Sequence, residues 1–438
     1  MANREPKILT DSDAVLCIQG GHIVDPASGR DETGDLWIDR GKIADGPIAD
    51  DPNAIVIEAA GKVVTPGLID VRVHLREPGY EYQETIVSGT RAAGAGGFTG
   101  VVCMPNTKPV MDNAEVVRYV KEQARFADAR VYPVGAVTKG AQGEQLSEVS
   151  DMVEAGVVAI SDGIQSIADT GMMRRALEYA GMFSIPVITH CEDDALARNG
   201  LMNESYMSTL LGLKGIPNAA EEIVIARDLM LAELTGCRLH IAHISTAGSV
   251  ALVREAKKRG ISVTAEVTPY HFSLTDEAVR SYNPNMKLQP PLRSGRDVAA
   301  IREGLSDGTI DAIVSDHTPY SIDEKMVEYD AAPFGTIGLE TTLGLVMTEL
   351  VHTDVLRLTD AIRLLSANPA HIFGLDTGTL QPGAPADVTV FDPDQEWTVV
   401  ARDFLSKSRN SAVEGTILRG RVAFTIVGGR TLQWHERQ

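Results

Sequence analysis

Apolar and polar positions divide this chain into three zones. From about Ile8 to Pro66, short runs are separated by Gly, Asp and Pro clusters: Ala14–Gln19, His22–Val24, Asp35–Asp39, Lys42–Ala44 and Ile55–Glu58. Such punctuation predicts short strands joined by turns. The stretch from about Gly378 to Trp434 has the same texture, with runs Ala386–Phe391, Glu396–Val400, Ala412–Leu418, Arg421–Ile426 and Arg430–Leu432. Two strand-rich ends around a different middle predict one small β-sandwich module built from residues 1–66 and 376–438. The middle, 67–375 with a lead-in from Val63, alternates strand and helix. Its strand runs are Val63–His74, Gly100–Met104, Val131–Val137, Val157–Ser161, Val187–His190, Arg238–His243, Ser262–Val267 and Ala312–Ser315. Helical patterns lie between most of them, as in Thr170–Ala180, Ala219–Leu234 and Gly248–Arg259. Eight strand-then-helix repeats over about 250–300 residues predict an α/β protein with a (β/α)8, TIM-like barrel. An open doubly wound sheet is the alternative. It gains no support from a dinucleotide fingerprint or a P-loop, since neither is present. The glycines of Ala93-Gly94-Ala95-Gly96-Gly97 read as a helix end and a turn.

Composition narrows the function classes. At 438 residues, 44% hydrophobic and 23% charged, the chain has globular values and room for one large barrel plus a module. No run of about 18 apolar residues predicts a membrane span. The start, Met1 to Asp13, lacks the basic-then-apolar pattern of a signal peptide, so a cytoplasmic location is expected. The formal charge of −20 argues against nonspecific nucleic-acid binding, which needs a basic face. Cys17, Cys103, Cys191 and Cys237 are far apart and read as reduced thiols. A homo-oligomer is the expectation for a cytosolic enzyme.

In a (β/α)8 barrel, catalytic groups sit at the C-terminal strand ends. Here strand one ends in Asp70-Val71-Arg72-Val73-His74-Leu75-Arg76-Glu77-Pro78-Gly79, where alternation would send residues 72, 74 and 76 the same way. Strand four runs into Ser161-Asp162-Gly163, and strand five ends at Thr189-His190-Cys191-Glu192-Asp193. Strand six ends at Ala242-His243-Ile244-Ser245, and strand eight at Ser315-Asp316-His317. A single His or Asp after a strand is ordinarily a hydrogen-bonded residue or a helix cap. Five strand ends of one barrel carrying imidazole or carboxylate point instead to a divalent metal such as zinc.

The chain resembles the type I dihydroorotases of the amidohydrolase superfamily over nearly its whole length. The resemblance rests on Pro66-Gly67-Leu68-Ile69-Asp70, His74-Leu75-Arg76-Glu77-Pro78-Gly79, Met104-Pro105-Asn106-Thr107, His190-Cys191-Glu192-Asp193 and His243-Ile244-Ser245-Thr246-Ala247-Gly248-Ser249. Further matches are Pro290-Pro291-Leu292-Arg293, Asp316-His317, Pro333-Phe334-Gly335, Gly338-Leu339-Glu340-Thr341 and Ser406-Lys407-Ser408-Arg409-Asn410. It implies interconversion of dihydroorotate and N-carbamoyl-aspartate in pyrimidine synthesis. It implies metal ligands at His74, Asp162, His190, His243 and Asp316, with Asp316 also shuttling the proton. Arg76 and Asn106 would hold the substrate carboxylate, and His317, Phe334 and Gly335 would complete the pocket. Gln289 stands where an Asn often contacts substrate. Hydantoinases and allantoinases are near relatives, and many bridge two metals with a carboxylated lysine; strand four offers Asp162 and no lysine.

One departure matters most. The first histidine of the strand-one pair, a metal ligand in the family, is Arg72, which has no lone pair to give. Three readings follow. One zinc rather than two remains on Asp162, His190 and His243, with Arg72 supplying the absent ion's charge and pairing with Asp162 or Asp316. Alternatively, the chain is a metal-poor relative that partners aspartate carbamoyltransferase, with Arg72 salt-bridged to Asp316. Or His74 and Asp316 still hold a metal and Arg72 swings out to solvent.

Overall fold

A computed structural model describes residues 6–10, 14–48 and 54–434. The opening stretch 1–13, read as lacking a leader, lies largely outside them.

Eight parallel strands form the central sheet: β1 (Leu68–Val73), β2 (Phe98–Cys103), β3 (Arg130–Gly135), β4 (Ala159–Ile160), β5 (Val187–Thr189), β6 (Leu239–Ile241), β7 (Val263–Val267) and β8 (Ala312–Ile313). They pair in sequence order. The chain beyond β8 closes the ring: His317 bridges Val73, the His74 amide donates to the His317 carbonyl at 3.0 Å, and the Ser315 amide donates to Asp70 Oδ2 at 2.9 Å. Asp70 Oδ1 accepts the Arg72 amide at 3.0 Å. One buried carboxylate therefore bolts the first strand to the eighth. The barrel is an α/β one, as the alternation predicts.

Ile69, Val71, Val102, Met104, Val134, Ala159, Ile188, Ala242, Ala312 and Val314 share one buried cluster with Ala370, Ile372 and Phe373. Residues from seven strands can touch one another only inside the ring, so this cluster fills the interior, and 370–373 plug one end. The outward faces, such as Val73, Val101, Ile160, Ile241 and Val267, pack on the helices. The predicted helices are there as Thr170–Gly181, Ala219–Thr235 and Ala247–Lys258. The glycine-rich run ends the helix Ile86–Ala95 at Gly96, and Gly97 turns at a φ of +87° that favours glycine.

The terminal zones join in one nine-stranded sheet. Its N-terminal members include Leu16–Asp25, Arg30–Asp39, Ile55–Glu58 and Val63–Pro66; its C-terminal members are Val388–Thr398, Ile417–Val427 and Arg430–Gln433. The two groups meet where Val388–Phe391 pairs antiparallel with Val63–Pro66, around a core that includes Leu16, Ile23, Ile38, Val64, Val388 and Ile426.

Four details differ from expectation. The long strand Val63–His74 is two strands in two sheets, split at Gly67, where any Cβ would collide with Thr99. Ala14–Gln19 and His22–Val24 are one strand, Leu16–Asp25, whose pairing with Arg30–Asp39 shifts register between Ile18 and Gly21. Ala386–Phe391 and Glu396–Val400 are likewise merged into Val388–Thr398 across an irregularity between Asp392 and Glu396. Ala412–Leu418 is mostly loop, because Ala412 and Val413 pack beneath the barrel mouth with Leu292 and Ile337.

Candidate active site

The plugged end leaves the C-terminal strand ends as the open mouth, and the chemistry gathers there. At the end of β1, Arg72 is 1% exposed and points into the barrel. Its Nε donates to Asp316 Oδ1 at 3.1 Å, and its Nη2 donates to the Gly163 carbonyl at 3.2 Å. Glu266, inward-facing on β7, lies 4.0 Å from Arg72 Nε and accepts from or pairs with His240 Nε2 at 2.9 Å. The expectation that Arg72 swings out to solvent is therefore wrong. The half-buried Asp316 and the buried Glu266 hold it inside, where an unpaired guanidinium would be costly.

His74 is buried beside it. Its Nδ1 contacts Asn106 Oδ1 at 2.7 Å, and its Nε2, with no hydrogen-bond partner, faces Asp316 Oδ1 at 3.5 Å. Burial lowers the His74 pKa, Asp316 opposes that, and Arg76 and Arg72 add to it. Burial would raise the Asp316 carboxyl, but its contacts with His74 and Arg72 hold it below the usual range, so it is ionised and able to accept a proton.

Across the mouth, His190 Nδ1 and His243 Nε2 stand 3.1 Å apart. Their outer nitrogens, His190 Nε2 and His243 Nδ1, are buried and unpartnered. Burial pushes His190 down to about 3, with Arg72 adding to the effect, and also pushes His243 well below its usual value. Both imidazoles are neutral, with nitrogens converging on one point, as two ligands of one ion do. The backbone at His243 (φ 32°), Asp316 (φ 47°) and Arg76 (φ 63°) is left-handed, a strained setting for non-glycine residues.

Asp162 sits apart. Its carboxylate accepts from the Thr138 amide at 2.9 Å and the Thr138 hydroxyl at 2.5 Å, so the expected ligand is spent on the β3 loop. Among the described residues, no three His, Cys, Asp or Glu side chains converge tightly enough to hold an ion as they stand. The donor set thus fits one ion at the His190–His243 pair, with a carboxylate still to be drawn in. It does not fit a second ion at the place Arg72 fills.

The substrate contacts divide the same way. Arg76 is buried at the mouth: Nε donates to the Pro319 carbonyl at 3.2 Å, Nη2 has no partner, and the guanidinium lies 4.9 Å from the Tyr320 ring centre. Gln289 is half-buried and donates to Glu192 Oε1 at 2.6 Å. Phe334 lies against Lys287 Nζ at 4.7 Å, and the Gly335 amide donates to the Lys287 carbonyl at 2.8 Å. His317 does not line the pocket as expected. It is 1% exposed, and both ring nitrogens are taken, Nδ1 by the Gly338 amide and Nε2 by Glu84. Arg293 of the Pro-Pro-Leu-Arg match is also structural, bound to Ser245, Asn203 and the Ile216 carbonyl.

Sequence reasoning missed Glu266, His240 and His271. A glutamate alternating with Val263, Ala265 and Val267 on an apolar strand was the available signal for the first. His271 is fixed by Thr268 and the Pro290 carbonyl, and burial lowers it to about 4. A histidine depressed when folded binds fewer protons than when unfolded, so its stabilisation is lost as pH falls from about 6.5 toward 4. Urea titrations of metal-free protein are expected to show stability falling through that window, with a slope smaller by up to one proton in His271→Gln. An unchanged slope would contradict the assignment.

This arrangement at the C-terminal ends of a (β/α)8 barrel places the chain in the amidohydrolase class. A model of the amidohydrolase family matches residues 224–424. The L-hydantoinase (dihydropyrimidinase) of Arthrobacter aurescens superposes with a TM-score of 0.86 at 24% identity, over 97% of each chain. A D-hydantoinase (dihydropyrimidinase) from Thermus sp. does so at 0.81 and 24%, over 95% of this chain and 94% of its own. These structures share the fold. A dihydro-orotase-like family model matches residues 61–249. The dihydroorotase of Pelotomaculum thermopropionicum is 55% identical over 95% of this chain and 98% of its own length. That of Geotalea daltonii is 52% identical over 96% and 99%. The chain belongs to the dihydroorotase family, hydrolases of a cyclic amide whose members imply a divalent metal. No helix among the described residues is long and apolar enough to cross a membrane.

Proposed function

We propose that this chain is a working dihydroorotase, reversibly hydrolysing the cyclic amide of dihydroorotate to N-carbamoyl-aspartate in pyrimidine biosynthesis, with one zinc rather than two. The observation that carries the reading is the coexistence of a buried Arg76 whose Nη2 has no partner with the His190–His243 pair. A guanidinium fork matches a carboxylate bidentately, and Asn106, fixed by His74, would share that task. His190 and His243 would hold the ion, with Asp316, whose charge reaches His190, as the carboxylate; His74 and Asp162 are turned to Asn106 and Thr138. The ion would lower the pKa of bound water and polarise the substrate carbonyl. Asp316, kept ionised by its neighbours, accepts the proton of the attacking water and returns it to the leaving amide nitrogen. Arg72 anchors Asp316 and supplies positive charge where a second ion would stand. Phe334, Gly335 and Gln289 shape the rest of the pocket.

A second reading has its own support. The 3.1 Å contact between Arg72 and Asp316 also suits a retired site, in a non-catalytic partner of aspartate carbamoyltransferase. Metal content and dihydroorotate hydrolysis, measured on one purified preparation with and without added zinc, separate the two. About one equivalent of zinc with turnover supports the enzyme. Neither metal nor turnover in folded protein supports the scaffold.

A further inference from the structure

Beside the substrate loop lies a cavity of about 490 Å³, lined in part by Tyr320, Lys325, Arg409 and Asn410 and rimmed by Ile322 and Met326. No Asp or Glu is among its lining residues, in a chain with 60 acidic and 40 basic residues. We propose that this cavity binds a small molecule carrying a phosphate or carboxylate on a flat body, and that its occupancy alters the neighbouring substrate site.

The cationic floor is built rather than incidental. Lys325 is 6% exposed, yet the only hydrogen bonds of its Nζ among the described residues go to the Pro284 and Pro333 carbonyls, at 3.0 and 2.8 Å. Among the described residues it makes no ion pair with a carboxylate. Burial, with the charge of Lys287 added, pulls it down to about 7, so that a bound anion would restore its charge. Arg409 spends Nη1 on the carbonyls of Ser406 and Ser408, and its field also reaches Glu340. The side-chain amides of Asn283 and Asn285 also line the cavity and can donate to an oxyanion. The rim is apolar and open: Ile322 is 54% exposed and Met326 78%. Charge at the floor and apolar surface at the rim call for an amphipathic ligand, and the volume suits one of drug size.

Two contacts join this cavity to the substrate site. The Tyr320 ring lies between Arg76, at 4.9 Å, and Lys325 Nζ, at 5.6 Å. The Lys325 bond to Pro333 tethers the loop that carries Phe334 and Gly335. An anion drawing Lys325 Nζ off Pro333 would loosen that loop and shift the ring under Arg76. The effect would therefore fall on KM for dihydroorotate more than on kcat.

The test is calorimetry on the full chain with uridine monophosphate, uridine, inorganic phosphate and benzoate. Uridine monophosphate or benzoate should bind, whichever oxyanion the site prefers, and uridine should bind at least tenfold more weakly. Binding should fall at least tenfold in Lys325→Met and in Arg409→Gln, each checked for folding by its melting transition. Arg409→Gln keeps the test decisive if Lys325→Met does not fold. Absence of binding by both anions, uridine binding as tightly as its monophosphate, or affinity unchanged in the variants would overturn the proposal. A KM for dihydroorotate that moves severalfold with the bound anion in the parent, but not in Arg409→Gln, supports the coupling. Only this kinetic arm rests on the dihydroorotase reading; the calorimetry stands without it.

Discussion

Arg76→Gln is expected to cut kcat/KM for dihydroorotate by about a thousandfold, since losing one partner of a buried charge pair costs roughly 2–5 kcal/mol. The guanidinium is 7% exposed, and Nη2 has no acceptor in the free protein. The backbone beneath it is left-handed at +63°, and Tyr320 supports its face. A side chain so fixed, with a donor left over, is preorganised for an anion that arrives with the substrate. Most of the loss should appear in KM. Arg76→Lys should recover only part of it, because an ammonium keeps the charge and loses the fork. Steady-state kinetics on variants with native circular dichroism would decide. Activity within threefold of the parent in Arg76→Gln would mean that the substrate carboxylate binds elsewhere.

The second large effect concerns Arg72. In Arg72→Met, Asp316 and Glu266 lose their shared buried cation, and breaking a buried pair in this way costs about 3–5 kcal/mol. The variant should melt at a clearly lower temperature and lose turnover, because Asp316 would no longer be anchored. Arg72→His returns an imidazole to the strand-one pair beside His74. Its metal content should rise by up to one equivalent over the parent's. Rising turnover with unchanged metal in Arg72→His would sink the idea that the guanidinium stands in for an ion. A parent that already holds two equivalents would sink it as well.

Much of the barrel was legible because its signal is periodic and local. The helices at 170–181 and 247–258 carry their apolar stripes in sequence, and each strand is a short apolar run bounded by turn residues. What escaped was set by distant partners. Nothing near Gly67 announces that Val63–Pro66 pairs with Val388–Phe391 while Leu68–Val73 pairs with Phe98–Cys103. The site shows the same division. The positions of His74, Arg76, His190, His243 and Asp316 at strand ends could be read from the order of elements. The directions of their side chains could not. Asp162 is captured by Thr138, 24 residues earlier, and His317 by Glu84, 233 residues away. Glu266 went unremarked because one acid in an apolar strand becomes informative only when Arg72 is found opposite.

The sheet shared by the two termini also sets the order in which the chain can mature on the ribosome. One edge of Val63–Pro66 pairs with Leu16–Asp25, but the other finds its partner only when Val388–Phe391 has been made, more than 300 residues later. At roughly 5–20 residues per second, that leaves an unpaired strand edge for some tens of seconds. Such an edge invites pairing with other nascent chains. Successive barrel strands pair as they emerge, and only the outer edge of the first waits, for the chain at His317. Overproduction should therefore trap this protein as aggregates through its N-terminal strands. Slower synthesis or added holdase chaperone should raise the soluble yield more than any change in the barrel.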